Sequence, residues 1–425
     1  MTLKKINAGA LQLTMFVVIV IALLLAAFII LIDTHKRFSI QTDFVLEAIQ
    51  NANRGVDYAL QNDVLSRDTT RVNLKNNNFE TIKVYRDYWG LFEKVVSISE
   101  IKTNRFKKTA LIGAIQPIDD RTVLYLEEQN RPLVLVGNTK IQGVAYLPKQ
   151  GVTIGNISGH TYYGSQLIYG KTETSRAFPT LSEETIDQLK LITKKTENLG
   201  SNQFLDLKTA ENYQNSFLDP IKVVYSQTEI DLTDISLTGH ILVQSETKIT
   251  IGTSSNLKDV ILVAPVIEIN DHVKGNFQAF ASLEINIGKH CRLDYPSAIV
   301  VNDLRTVMEH PMTQNEEDVQ IHFGSGSILK GVMVFLGNKR QENFRAQVLV
   351  EEDSIVVGEV YCNLNMELRG RVDGSVFASN FVARQAGSIF QNHIYNGNIL
   401  IDSLPPEYVG LVFENSKKGV LKWLY

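Results

Sequence analysis

The twenty residues from Leu13 to Ile32, LTMFVVIVIALLLAAFIILI, carry no charge. A helix of that length matches the hydrocarbon thickness of a bilayer, about 30 Å. It makes its backbone hydrogen bonds internally, so lipid costs it little. No charge falls between Lys5 and Asp33. A cleaved secretory signal has a shorter apolar region followed by a small-x-small site. Here the run continues through Ile29, Ile30, Leu31 and Ile32 into Asp33-Thr-His-Lys-Arg37. The pattern predicts a retained single span with ends at Leu13 and Ile32, and a lipid bilayer as its partner. Lys4 and Lys5 flank one end, Lys36 and Arg37 the other, so basic residues do not orient it.

The helix is expected to continue beyond the bilayer. Val45, Ile49, Ala52, Val56, Ala59 and Leu60 recur at three- and four-residue steps, which places them on one helical face. Glu47, Gln50, Arg54 and Asp57 fill the other face, and Asn62 and Asp63 are stop signals. One helix from Ala10 to Gln61 would be about 80 Å long at 1.5 Å per residue. Residues 1–62 therefore read as span plus stalk.

That two-part helix resembles the start of type IV pilins and pseudopilins. The resemblance lies in Lys4-Lys5-Ile-Asn-Ala-Gly9, then Ala10-Leu-Gln-Leu-Thr14, then the apolar run. Phe44 to Leu60, FVLEAIQNANRGVDYAL, looks like the corresponding segment of minor pilins of the PilX and GspK type. The resemblance implies leader cleavage between Gly9 and Ala10, and partners among other pilin-like or secretion-system subunits. It also implies a bacterial cytoplasmic membrane, with the C-terminal part periplasmic or extracellular. Thr14 stands where most members of the family carry Glu.

After the stalk the period changes. TIKVYRDYWGLFEKVVSIS and KKTALIGA alternate and are rich in β-branched residues. Residues 79–113 therefore read as about three antiparallel strands, turning near Trp89-Gly90 and Thr103-Asn104.

The C-terminal two-thirds repeats. Ile249-Thr-Ile251, Ile267-Glu-Ile269 and Ile285-Asn-Ile287 are spaced 18 residues apart, with Ile321-His-Phe323 two periods on. Val348-Leu-Val350 and Met366-Glu-Leu368 are also 18 apart, as are Val134-Leu-Val136 and Val152-Thr-Ile154. Gly137, Gly155, Gly252, Gly288 and Gly324 follow the triplets. Within the period, Ile251, Leu257, Val263, Ile269, Gly275, Ala281 and Ile287 are six apart. Three six-residue faces per turn predict a triangular parallel β-solenoid, whose coils bury their apolar faces only by stacking. The repeat resembles hexapeptide-repeat solenoids, and over Gln347 to Asn392 the bactofilin domain. The latter resemblance implies end-to-end self-polymerisation.

The expected fold is thus mainly β. A long N-terminal helix leads to a small antiparallel sheet and then a solenoid with an inserted helical segment. First coils occupy 131–170, an insertion 171–237, the main solenoid 238–401, and a cap or tail 402–425. The insertion carries a helix from Ser182 to Thr196. Two surface loops interrupt the repeat, Asn302 to Asp318 with Glu309, His310, Pro311, Glu316 and Glu317, and Gly337 to Arg345. The tail would cover an open strand edge.

Chemistry is sparse. A formal charge of −4 gives no basic field for nucleic acid. Two cysteines exclude a disulfide scaffold, and Cys291 and Cys362 should be buried free thiols at least two coils apart. No phosphate loop, zinc motif or nucleophile elbow is present, so no cofactor is expected. His272, His290 and His322 are candidate bases for an acyltransferase, and Glu268, Asp271 and Lys274 candidates for a glycan-active site. None has a second catalytic group fixed beside it, and a charged outer wall is the default. Three functions follow: a membrane-anchored minor pilin-like subunit displaying its head, a tethered bactofilin-like scaffold, or an enzyme on the solenoid wall. Capped ends favour display, and open apolar ends favour a polymer.

Overall fold

The computed structural model describes residues 8–62, 64, 69–72, 80–118, 121–192, 199–207, 211–305, 319–338, 344–401 and 404–424. It is mainly β, with one long N-terminal helix and a small antiparallel sheet. The basic leader before Asn7, Asp63, most of the polar loop (306–318) and the basic stretch 339–343 lie outside the described residues.

Helix α1 (Ala8–Gln61) is unbroken over 54 residues. Its C-terminal part buries Ala48, Ala52, Val56 and Ala59. Ala52, Val56 and Ala59 lie on the face that the three- and four-residue spacing picks out, whereas Val45, expected there, is exposed. The buried residues pack on a sheet of β1 (Thr70–Val72), β2 (Glu80–Trp89), β3 (Phe92–Ile101) and β4 (Asn104–Ile115). The antiparallel pairs Trp89↔Phe92 and Ile101↔Asn104 place the turns where the sequence puts them. Small residues on α1 let the backbones approach. A Cβ at Gly55 would overlap the Ser97 hydroxyl.

Most of the remaining strands pair in parallel into a closed barrel with further strands added. The pairs form three rows. In the first, Tyr213, Leu237, Leu257, Gly275, Leu293, Leu329, Val356, Val372, Ile399 and Ile141 are successive partners. In the second the succession is Val224, Val243, Leu262, Ala279, Ile299, Met333, Val360, Val376, Leu124 and Ala145. In the third it is Ile230, Ile249, Ile267, Ile285, Ile321, Val348 and Met366. The arrangement closes because single long strands span several rows. Asn256–Ile269, for example, pairs with three separate earlier strands. Inward side chains from all three rows form one buried apolar cluster.

Three expectations about order need correction. The segment 122–147 does not precede the main repeat in space. It pairs onto 376–378 and 398–400, beyond the repeat's last strands. Those strands have an open hydrogen-bonding edge, and the N-terminal strands satisfy it. Second, the rows begin at Asn212 rather than at 238. Third, the strand Lys417–Leu424 pairs antiparallel with β4 instead of covering a terminal edge. Ile321-His-Phe323 pairs directly with Ile285–Ile287, so the two triplets are neighbours in the third row despite the double spacing in sequence.

In the expected insertion, the described residues 175–192 and 199–205 form a strap. It runs over the outer face of the second row, from the edge at 172–174 to the opposite edge near Val223. It contains α2 (Glu183–Leu191), capped by Ser182, whose side chain accepts from Thr185 N. Thr193–Thr196, the expected end of that helix, lies outside the described residues. Leu181, Leu189 and Ile192 of the strap bury Val263, Phe280 and Val300.

Candidate functional site

The described features with a functional geometry are α1 and its junction with the β body. From Leu11 to Ile32 the large apolar side chains of α1 are exposed all round, for example Phe16 at 64% and Ile29 at 68%. The helix is long and apolar enough to cross a membrane. Its polar positions satisfy themselves: Thr14 Oγ1 donates to Leu11 O at 2.9 Å and Thr34 Oγ1 to Ile30 O at 2.7 Å. Such back-bonding makes a hydroxyl tolerable in lipid. Gly9 and Ala10 lie on the first turn, and a Cβ at Gly9 would meet nothing. Beyond Ile32, Arg37 Nε reaches Asp33 at 2.8 Å one turn back.

The sheet beneath the stalk docks on the β body through its β2–β3 turn. Trp89 Nε1 donates to Asp259 O at 3.1 Å. Gln278 accepts from Leu91 N at 2.9 Å and donates to Trp89 O at 3.0 Å. The C-terminal strand adds an ion pair across the junction, Lys422 with Asp259, while its Lys418 pairs with Glu93 within the sheet at 2.8 Å. A buried polar group needs such partners, and here they join the stalk to the body as one packed unit.

The tail is held where the chain both joins and leaves the body. Arg121 donates to the carbonyls of Leu404, Pro405 and Pro406 at 3.3, 2.9 and 2.6 Å. Tyr408 donates to Gly331 O at 3.0 Å and Tyr295 to Val409 O at 2.8 Å. Beneath them Glu359 is 1% exposed. It accepts from Leu411 N at 2.5 Å and from Gln116 Nε2 at 2.6 Å. Burial pushes its carboxyl up to about 7; those two hydrogen bonds and the Arg121 charge pull the other way without prevailing. Sequence reasoning missed this residue. Its only local mark is an acid inside the apolar run IVVGEVYC.

The candidate bases do not converge. His272 and His290 sit at equivalent corners with φ of 63° and 57°, and their rings stack at 5.3 Å. His322 stands on the third row, its Nδ1 2.8 Å from Asn286 Oδ1 and its Nε2 3.5 Å from Glu351. Glu268 pairs with Lys248, Asp271 accepts from Lys289 N at 2.7 Å, and Lys274 lies exposed on the first row. Among the described residues no group of three or more His, Cys, Asp or Glu side chains could hold a metal ion. Cys291 and Cys362 are free and buried. Burial raises both thiols, Cys362 to about 12, which disfavours the reactive thiolate.

A cavity of about 420 Å³ lies between Leu189 and Ile192 on the strap and Val263, Phe280 and Val300 on the second row. Its rim leads at Ile192 and Arg305 into stretches outside the described residues. A smaller cavity of about 70 Å³ opens on the third row beside Glu367, Arg384 and Tyr395.

No protein-family model matches this chain, and neither a curated protein nor a solved structure matches it significantly.

Proposed function

We propose that this chain is a membrane-anchored, minor pilin-like structural subunit. It displays a β-solenoid body outside a bacterial cytoplasmic membrane, for assembly into a pilus or secretion pseudopilus or for adhesion. The three rows are read as the faces of a triangular solenoid. The observation that carries the proposal is the division of labour along α1. One unbroken helix is bare and apolar over its first half and packs one small-residue face on a sheet over its second. That geometry suits a subunit whose outer helix is gripped by lipid or by other helices while its body is held at a fixed place. The work assigned is structural, with no catalytic step.

The rival reading is a tethered bactofilin-like scaffold polymerising through its ends. The chain's own segments lie across both outermost edges, which favours display. At one edge Leu205 N donates to Val223 O at 2.7 Å, and Leu205 and Leu207 pack on the core. At the other, a hairpin pairs Asn156 with Thr161, and Tyr163 N donates to Gly137 O at 3.0 Å.

The test is N-terminal sequencing of the mature protein from its native membranes. A start at Ala10 supports leader processing and the pilin-like reading. An intact Met1 sinks that reading and moves the scaffold ahead.

A further inference from the structure

A separate three-stranded parallel sheet, 393–395 beside 133–136 beside 152–154, carries at its outer strand a surface unlike the rest of the body. Between Lys149 and Lys171 there is no Asp, Glu, Lys or Arg, but there are three tyrosines, five glycines and a histidine. Most of the stretch is exposed, Tyr163 at 57%. Its turns are nonetheless held. Tyr162 OH donates to Gln166 O at 2.5 Å, and Tyr169 OH accepts from Ser165 N at 3.2 Å. Tyrosine, serine and glycine on braced loops form a rigid amphipathic contact surface at little entropic cost.

The aromatic rings are contiguous. His160 Nδ1 lies 3.2 Å from Tyr163 OH, and the His160 ring is 6.1 Å from that of Tyr395. The Tyr395 hydroxyl makes no hydrogen bond among the described residues. Tyr395 also lines the small cavity, which continues the strip into a polar notch with Glu367 and Arg384. Glu367 is 2% exposed. Its Oε1 accepts from Arg369 at 2.8 Å and from Arg384 N at 3.1 Å. Its Oε2 lies 3.2 Å from Arg384 Nε, close enough for an ion pair but not aligned for a hydrogen bond. Neither atom is exposed to solvent, and the part of the pair that reaches the notch surface is the half-buried Arg384 side chain.

We propose that this strip and notch bind a neutral oligosaccharide. Sugar rings carry C–H faces, which suit the electron-rich faces of aromatic rings, and hydroxyl edges, which both donate and accept. Arg384, part-exposed on the notch and held in place by Glu367, donates to a hydroxyl, and the free Tyr395 hydroxyl bonds another. The notch is the size of a sugar's hydroxyl edge rather than of a whole ring, so the remaining rings lie on His160 and Tyr163. Arg369 and Arg384 are offset by Glu367 and Glu351, with Glu352 on the rim, so no excess positive charge selects a phosphate or a uronate. The inference goes beyond the display reading. It concerns the body alone and stands whether or not the leader is cleaved.

The full chain, in a detergent without a sugar headgroup, is tested on an array of neutral and uronic-acid oligosaccharides. At least one neutral oligomer is retained, and its affinity survives 0.5 M salt. Tyr163→Ala weakens it about tenfold or more with an unchanged melting temperature, since that ring is exposed. Arg384→Ala weakens it independently, so a folding defect in one variant leaves the other to decide. The proposal is overturned by retention of no neutral oligomer, by preference for uronates, or by binding that neither variant weakens.

Discussion

The second and third rows are made by the same parallel pairing, yet they meet different surroundings. The third row buries one side. Ile249, Ile267 and Ile285 point into the core, while Thr250, Glu268 and Asn286 lie outside and bond one another's neighbours. The second row buries both. Met333 and Phe335 face the core, and Val332 and Val334 face the strap, the tail and the antiparallel sheet. The acids on the two outer faces differ accordingly. Glu367 on the third row lies between Arg369 and Arg384. Glu359 on the second has a backbone N–H and an amide as its hydrogen-bond partners. One architecture thus offers a polar wall for ligands and an apolar wall for its own connections.

The comparison breaks most sharply with a lysine on the covered wall. Val334→Lys buries an ammonium in the apolar cluster of Leu411, Tyr361 and Val300, where the neighbouring acid Glu359 is already held by Leu411 N and Gln116. An unpaired buried charge costs several kcal/mol, a large part of a domain's stability. The variant is expected to lose cooperative unfolding, as followed by circular dichroism in urea. A native-like transition would mean that the strap and tail are not tightly docked.

Next is the corner leading into the second row. Gly331, Gly358 and Gly374 stack there with φ of 141°, 145° and 151°. A Cβ on Gly358 would overlap Gly331 O. Gly358→Ala should cost at least about 3 kcal/mol, combining backbone strain with overlap against an atom that cannot move away. Chemical denaturation measures it. A cost under about 1 kcal/mol would show that this corner has slack.

Glu359 sharpens the comparison through pH. Its folded pKa, about 7, lies above the ordinary carboxyl value of 4.5. The folded state therefore binds the proton more tightly than the unfolded chain. The stability this group contributes is full below about 4.5 and is lost as pH rises through about 7. At 1.36 kcal/mol per unit the loss is about 3 kcal/mol. Glu359→Gln should flatten that part of the urea-midpoint profile between pH 4.5 and 8. An unchanged slope would place the titration elsewhere. A smaller effect is due at Tyr408→Phe, which deprives Gly331 O of its donor and should cost about 1 kcal/mol in the same assay.

How much of this was legible follows from the same contrast. The third row alternates apolar and polar because one side is wet, so its 18-residue period stands out in the sequence. The second row reads as continuous runs, VILVA at 260–264 and VMVF at 332–335. Such runs mark strands buried on both faces, a signal of a covered wall that the reading of the repeat did not use. The stacking of Leu124 on Val376 left no local trace, because any apolar strand fits an open edge and the partners are some 250 residues apart. The notch at Glu367 was equally hidden. It needs Arg384 and Tyr395 brought together by a hairpin whose strands, 371–385 and 388–391, the period does not describe.

The smallest expected effect is the control for the largest. Thr250 occupies on the third row an outward position like that of Val334 on the second, with Asp231 and Glu268 as its pairing partners and Glu229 within hydrogen-bonding distance. Thr250→Lys removes the 2.8 Å bond to Glu229 and puts an ammonium in water beside these three acids. An exposed ion pair gains little, and the lost surface hydrogen bond costs little, so stability should move by no more than about 0.5 kcal/mol. The same residue type, added to strands paired in the same way, should therefore unfold the protein at 334 and leave it nearly unchanged at 250. If both lysines were tolerated, the second row would have to be open to solvent like the third. If both unfolded the protein, the third row would have to be covered, and no outer wall would remain to take a ligand.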